Sequence, residues 1–264
     1  MNENNRNIRY YQTFSDDFIK SVNQKQEIPQ RYKWVHTNRC YLALAKLLYG
    51  IALIFGMIYS RVILQIHVVN KKALKEAKGS GYFLYGNHTQ PIGDVFAPAR
   101  YIFPKRMYAI ASPANLGIPV IGTILPMLGG LIIPGTMGQM KEFMEAIEYH
   151  IQKKSCIVIY PEAHVWPYCS FIRPFPETSF RFPVQCNAPC YSMTTTYQKR
   201  KRGRRPKITV FIDGPFYPDL AKGKKREQRR LHDEVYAAMV RRSKNNTYVY
   251  IDYQKQEKVG KIVS

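Results

Sequence analysis

The chain has 264 residues, enough for one large α/β domain, and 45% of them are hydrophobic, which excludes a globally disordered protein. Its 40 Lys and Arg against 18 Asp and Glu give a formal net charge of +22, so the surface should seek an anionic partner: nucleic acid, an acidic protein or an anionic membrane. The five cysteines are odd in number and contain no CxxC pair, which favours reduced thiols over a disulfide framework.

In chain order, residues 1–39 read as a polar leader without the apolar core of a signal peptide, so the catalytic part is expected to stay in the cytosol. Residues 40–70 are the most apolar part of the chain. They predict an N-terminal membrane-associating helical segment, either spanning or interfacial, with Lys46 able to snorkel and Tyr41, Tyr49 and Tyr59 suited to the headgroup level. Residues 71–242 then alternate strand and helix signals, and residues 243–264 form a C-terminal tail.

"GYFLYGNH" predicts a strand that carries His88 to its carboxyl end, and a helix is expected to start at Pro91. "GGLIIPG" and "CIVIYPE" predict two more strands. Between them the spacing of Met140, Met144, Ile147 and Ile151 predicts an amphipathic helix over 139–153, and strand–helix–strand implies parallel pairing. "APCYSMTTTY" and "KITVFIDGPFYP" predict two strands around a polybasic loop, followed by a helix with Leu231, Val235 and Met239 on its apolar face. The expected fold is α/β, with a central, mostly parallel or mixed sheet flanked by helices.

His88 and Asp94 are the first candidate for chemistry. A neutral imidazole takes a proton from an alcohol when a carboxylate fixes its tautomer and stabilises the imidazolium. In one continuous helix a separation of six residues turns through about 600°, which points the two side chains apart. The pair therefore requires His88 on a loop and Asp94 on the next helix. Glu162 in "YPEAH" follows another strand, again at a carboxyl end where ligand sites of α/β sheets gather.

Taken in order, "NHTQPIGD", "GGLIIPG", "YPEAHV" and "APCYSM" resemble the four motif blocks of the glycerolipid acyltransferase family of the lysophosphatidic acid acyltransferase type. "RPFPETSFRF" also resembles a stretch of that family, and the resemblance covers roughly residues 40 to 242. It implies O-acyl transfer from an acyl thioester, on coenzyme A or acyl carrier protein, to a hydroxyl of a lysophospholipid or related glycerolipid. No metal and no bound cofactor are implied. Carried over, His88 is the general base and Asp94 its orienter, while Asn87, Thr89, Glu162, His164, Arg173 and Arg181 are candidate substrate contacts. The departures are specific. Five residues rather than four separate His88 from Asp94, and Gly135, Val165, Pro176 and Glu177 stand where the family carries phosphate-holding cations.

The loop cations Lys199, Arg200, Lys201, Arg202, Arg204 and Arg205 are expected to meet anionic lipid on the cytoplasmic face or an acidic carrier protein, and "KGKKREQRR" is a second basic run. A nucleic-acid binder would share the charge, but no reader motif occurs and the aromatic residues do not interleave with the basic runs, so no nucleic-acid partner is expected. A decayed membrane scaffold of the same fold is the other alternative. A zinc site at Cys186, Cys190 and His164 lacks a fourth ligand and the usual spacing.

Overall fold

A computed structural model describes residues 7–19, 26–203 and 205–256. Parts of the leader and tail and the loop residue Arg204 lie outside the described residues.

The strands are β1 (Asn7–Tyr11), β2 (His67–Val69), β3 (Tyr82–Gly86), β4 (Met107–Ala111), β5 (Gly130–Ile132), β6 (Cys156–Ile159), β7 (Cys190–Gln198), β8 (Lys207–Phe216) and β9 (Ile251–Lys255). The helices are α1 (Arg39–Ile58), α2 (Gly93–Ile102), α3 (Ile121–Ile124), α4 (Met137–Gln152), α5 (Arg181–Gln185) and α6 (Lys224–Ser243). Seven strands form one sheet in the order β2-β8-β7-β3-β6-β4-β5. All neighbours are parallel except β7 and β8, which pair antiparallel across the polybasic loop.

The period-two alternation of side chains along each strand divides the core into two layers. Phe83 and Tyr85 of β3 pack with Phe143 and Ile147 of α4, Phe182 of α5 and Leu231, Val235 and Met239 of α6. Tyr82 and Leu84 face the other way, toward Ala97, Tyr101 and Ile102 of α2 and, further out, Tyr49 and Leu53 of α1. All five residues of β3 are buried, as a strand covered on both faces requires.

Three expectations need correction. The strands from "GGLIIPG" and "CIVIYPE" share a parallel sheet but are not neighbours. β4 lies between them, a short apolar strand of five residues whose place in the sheet is set by pairing with β5 and β6. The helix expected from Pro91 begins at Gly93. On α4, Met140 is only half-buried, and Phe143, Ala146 and His150 complete the buried face.

α1 starts at Asn38, whose side chain accepts the Tyr41 N–H at 3.0 Å. With the π-helical turn at Tyr59–Ile63 it runs 25 residues, about 37 Å at 1.5 Å per residue, long enough to cross a bilayer. Only Ala45 and Gly56 are buried within α1. Gly56 allows close approach to α2, where an added Cβ would lie 3.1 Å from Phe96 Cβ. The opposite face is bare: Leu47, Ile51, Ile54 and Ile58 are 57–61% exposed and follow one another at three- and four-residue steps.

Candidate active site

The carboxyl ends of β3 and β6 and the start of α2 meet at His88. His88 Nδ1 lies 2.8 Å from Asp94 Oδ2, and the same oxygen accepts the backbone N–H groups of Thr89 and Gln90, each at 2.8 Å. Three donors on one oxygen explain how the longer spacing is absorbed. Pro91 and Ile92 complete a loop, Asp94 N–H donates back to Gln90 O at 3.0 Å, and Asp94 sits in the first turn of α2, where the helix dipole favours a carboxylate. Gly93 is dictated by crowding, since a Cβ there would stand 2.9 Å from both Gln90 Cβ and Leu64 Cδ1. With Nδ1–H held on Asp94, Nε2 is left as the acceptor. The His88 side chain is 17% exposed, so that nitrogen's ring borders solvent.

The His88 ring stacks on Tyr160 with centroids 4.4 Å apart and planes 16° from parallel. Tyr160 Oη donates to Asp94 O at 2.7 Å, and its pKa is pushed well above the usual tyrosine value by burial and then by the nearby Asp94 charge. It is therefore a fixed, neutral donor. Tyr160 was missed in the sequence reading. Strand register, which the sequence alone does not give, brings it in: Tyr85 pairs with Ile159, which sets Tyr160 beside Gly86. A Cβ on Gly86 would lie 2.7 Å from Tyr160 Cε1.

Of the expected substrate contacts, four are occupied inside the protein. Asn87 is tied to β7, donating from Nδ2 to Thr195 O at 3.0 Å and accepting Thr195 N–H at 2.8 Å. Thr89 Oγ1 lies 2.7 Å from Tyr197 Oη, which also accepts from Gln90 Nε2 at 2.8 Å. Glu162 accepts the His88 N–H at 3.0 Å and the Arg173 N–H at 2.9 Å, and pairs with Arg173 Nη2 at 2.8 Å. Arg173 is 1% exposed, lies over the Trp166 ring and also donates to His164 O. These side chains are buried and hold the loops around His88.

His164 is half-buried and enters through its backbone, donating its N–H to Glu162 O at 2.8 Å. Arg181 belongs to the other layer, its guanidinium over Phe182 and beside Met140 Sδ of α4, so it does not join the pair. Lys199, Lys201, Arg202 and Arg205 are exposed, and Arg200 anchors the loop by donating to Gln65 Oε1 at 2.7 Å.

Burial pushes the Cys186 and Cys169 thiols up to about 12, and Cys190 is 0% exposed in β7. Among the described residues no group of three or more His, Cys, Asp and Glu side chains could hold a metal ion. Two open grooves flank α4, lined among others by Trp34, Glu142 and Tyr149 and by Met137, Met140 and Glu148, and neither lining includes His88 or Asp94.

No protein-family model matches the sequence, and no curated protein sequence matches it. Solved structures do. The fold is similar to that of the 1-acyl-sn-glycerophosphate (LPA) acyltransferase PlsC from Thermotoga maritima, with a TM-score of 0.55 over 81% of this chain and 86% of that one, at 13% identity. The chain thus has the fold of a glycerolipid acyltransferase, as its motifs implied.

Proposed function

We propose that the protein is a membrane-associated O-acyltransferase that moves an acyl group from a thioester to a hydroxyl of a lysophospholipid or related glycerolipid. The observation that carries this reading is the 2.8 Å bond between His88 Nδ1 and Asp94 Oδ2 beside a partly exposed ring. His88 Nε2 takes the hydroxyl proton as the oxygen attacks the thioester carbonyl, and Asp94 stabilises the imidazolium. The tetrahedral intermediate then breaks its C–S bond, and the imidazolium returns the proton to the departing thiolate. Atoms and charge balance without a covalent enzyme intermediate. The donor is acyl carrier protein or coenzyme A.

The bare stripe of α1 and the exposed Ile92 and Val95 at the start of α2 would enter a bilayer interface. Lys199, Lys201, Arg202 and Arg205 would meet anionic headgroups on the cytoplasmic face, at about 1 kcal/mol each. With Arg173 and Arg181 engaged elsewhere, His164 is the remaining candidate from the third motif block for contact with a polar acceptor.

The test is thioester turnover by the purified protein on anionic vesicles over a panel of lyso-lipid acceptors, wild type against His88→Ala. Acceptor-dependent ester formation lost with His88 is expected. A folded, vesicle-bound wild type that turns over no donor with any acceptor would replace the enzyme reading with that of a scaffold.

A further inference from the structure

β1 and β9 come from opposite ends of the chain and pair in parallel, from Asn7↔Ile251 to Tyr11↔Lys255. A two-stranded sheet is marginal by itself, so its stability must come from what it packs on. That is Trp166, which is 0% exposed. Tyr253 stacks on it at 4.9 Å, Tyr11 packs at 4.8 Å, Phe18 meets it edge-on at 5.1 Å, and its Nε1–H donates to Asp16 O at 2.8 Å. Tyr253 Oη adds a bond to Pro167 O at 2.9 Å.

Trp166 sits in the loop after β6, and that loop is bonded to the backbone of the site. The Trp166 N–H donates to His88 O at 3.0 Å, and the Tyr168 N–H donates to Thr89 O at 2.9 Å. Two of its residues, Ala163 at φ 62° and Tyr168 at φ 58°, adopt the left-handed conformation, which costs an L-residue about 1–2 kcal/mol each. Such a loop persists only where its surroundings over-determine it. The terminal sheet, through Tyr11 and Tyr253, encloses Trp166 together with Phe18, Phe171 and the Arg173 guanidinium.

We propose that the β1–β9 sheet is a positioning device for the general base. By enclosing Trp166 it fixes the two main-chain bonds to His88 and Thr89, and through them the angle at which the imidazole meets Asp94. Trp166, Tyr11 and Tyr253 are positioning residues, since they reach His88 through the main-chain bonds of the Trp166 loop. The kinetic part of this inference rests on the acyl-transfer reading, while the geometric part does not.

The experiment compares full-length wild type, Tyr11→Ala, Tyr11→Phe and Tyr253→Phe. It reads kcat and KM for thioester and lyso-lipid, and the proton resonance of His88 Nδ1–H in protein labelled with ¹⁵N-histidine. Tyr11→Ala should lower kcat about 10- to 100-fold, as misplacement far from the chemistry does, leave KM nearly unchanged, and broaden or shift the Nδ1–H signal. Tyr11→Phe, which keeps the ring, should restore both. An unchanged signal and kcat in a Tyr11→Ala protein that merely melts earlier would overturn the proposal. If Tyr11→Ala does not fold, Tyr253→Phe keeps the ring on Trp166, removes the hydroxyl's bonds to Pro167 O and to the Arg9 side chain, and is judged by the same two readouts. Absence of turnover in the wild type would remove the acyl-transfer reading, and the resonance would still decide the positioning.

Discussion

Asp94→Asn is the substitution that most directly tests the chemistry. The amide is isosteric, and its oxygen can still accept the Thr89 and Gln90 N–H groups that Asp94 Oδ2 now holds, so the loop should survive. What is lost is the negative charge facing His88. With heavy atoms 2.8 Å apart, the charge centres of carboxylate and imidazolium lie about 4 Å apart, and at an effective dielectric constant of about 20 their attraction is about 4 kcal/mol. That charge pair exists only after the proton reaches His88, so the loss falls on the transition state. It corresponds to about a 10³-fold fall in kcat, with KM little changed. The assay is turnover at saturating thioester and lyso-lipid on anionic vesicles, with thermal unfolding as the control for folding. If Asp94→Asn keeps more than about a tenth of wild-type kcat while His88→Ala has none, the orienting role fails, because a tenfold loss amounts to only about 1.4 kcal/mol.

Two further predictions concern stability. Glu162→Gln and Arg173→Met each leave one member of a fully buried pair unpaired and should each cost about 3–5 kcal/mol in urea unfolding, while the double variant should recover part of that loss; additive losses would show that the pair is not coupled. His150 is 6% exposed, and burial lowers its pKa to about 4 from 6.5. Below pH 6.5 the unfolded chain binds a proton that the folded chain refuses, so stability is complete above pH 6.5 and falls toward pH 4, by at most about 3 kcal/mol. His150→Phe, which keeps the ring on Tyr108, should flatten the unfolding free energy between pH 7 and pH 5; an unchanged slope would assign the pH dependence to other groups.

Much of the fold was legible where a segment is buried on both sides. β3, β6 and the α6 face of Leu231, Val235 and Met239 carry strong apolar patterns and could be read directly. β1, β4 and β9 could not, because each is partly exposed and takes its strand identity from a partner remote in sequence, β9 for β1 and the β5–β6 pair for β4. The site divides in the same way. His88 on its loop and Asp94 in the first turn of α2 were readable as a pair, since the chemistry demanded a loop between them. The fates of Glu162 and Arg173 were not readable. A carboxylate and a guanidinium eleven residues apart serve a ligand or each other according to how the loop folds, and here Arg173 pairs with Glu162 while lying over Trp166. Tyr197 entered for a similar reason, since strand register alone brings it to Thr89 and Gln90.

The two basic runs looked equivalent as sequence, and the direction of the strands separates them. β7 runs parallel to β3, so Gln198 lies beyond the same sheet edge as His88, and the loop that follows projects from that edge. There Arg200 holds Gln65, just past the π-helical turn that ends the bare α1 stripe, so loop cations and apolar helix end side by side. β8 returns antiparallel, with Phe216 opposite Cys190. α6 therefore begins at the far edge, and it packs in the layer with α4 and α5 rather than with α1. Lys224, Lys225, Arg226 and Arg229 are exposed at that far end. Screening reduces interactions between exposed charges beyond about 8 Å at physiological salt, so the second run adds little to attraction at the His88 edge. Under the proposed membrane contact, a bilayer approached through the α1 stripe would meet Lys199, Lys201, Arg202, Arg205 and His88 together, so these cations, and not the overall charge of +22, would orient the site.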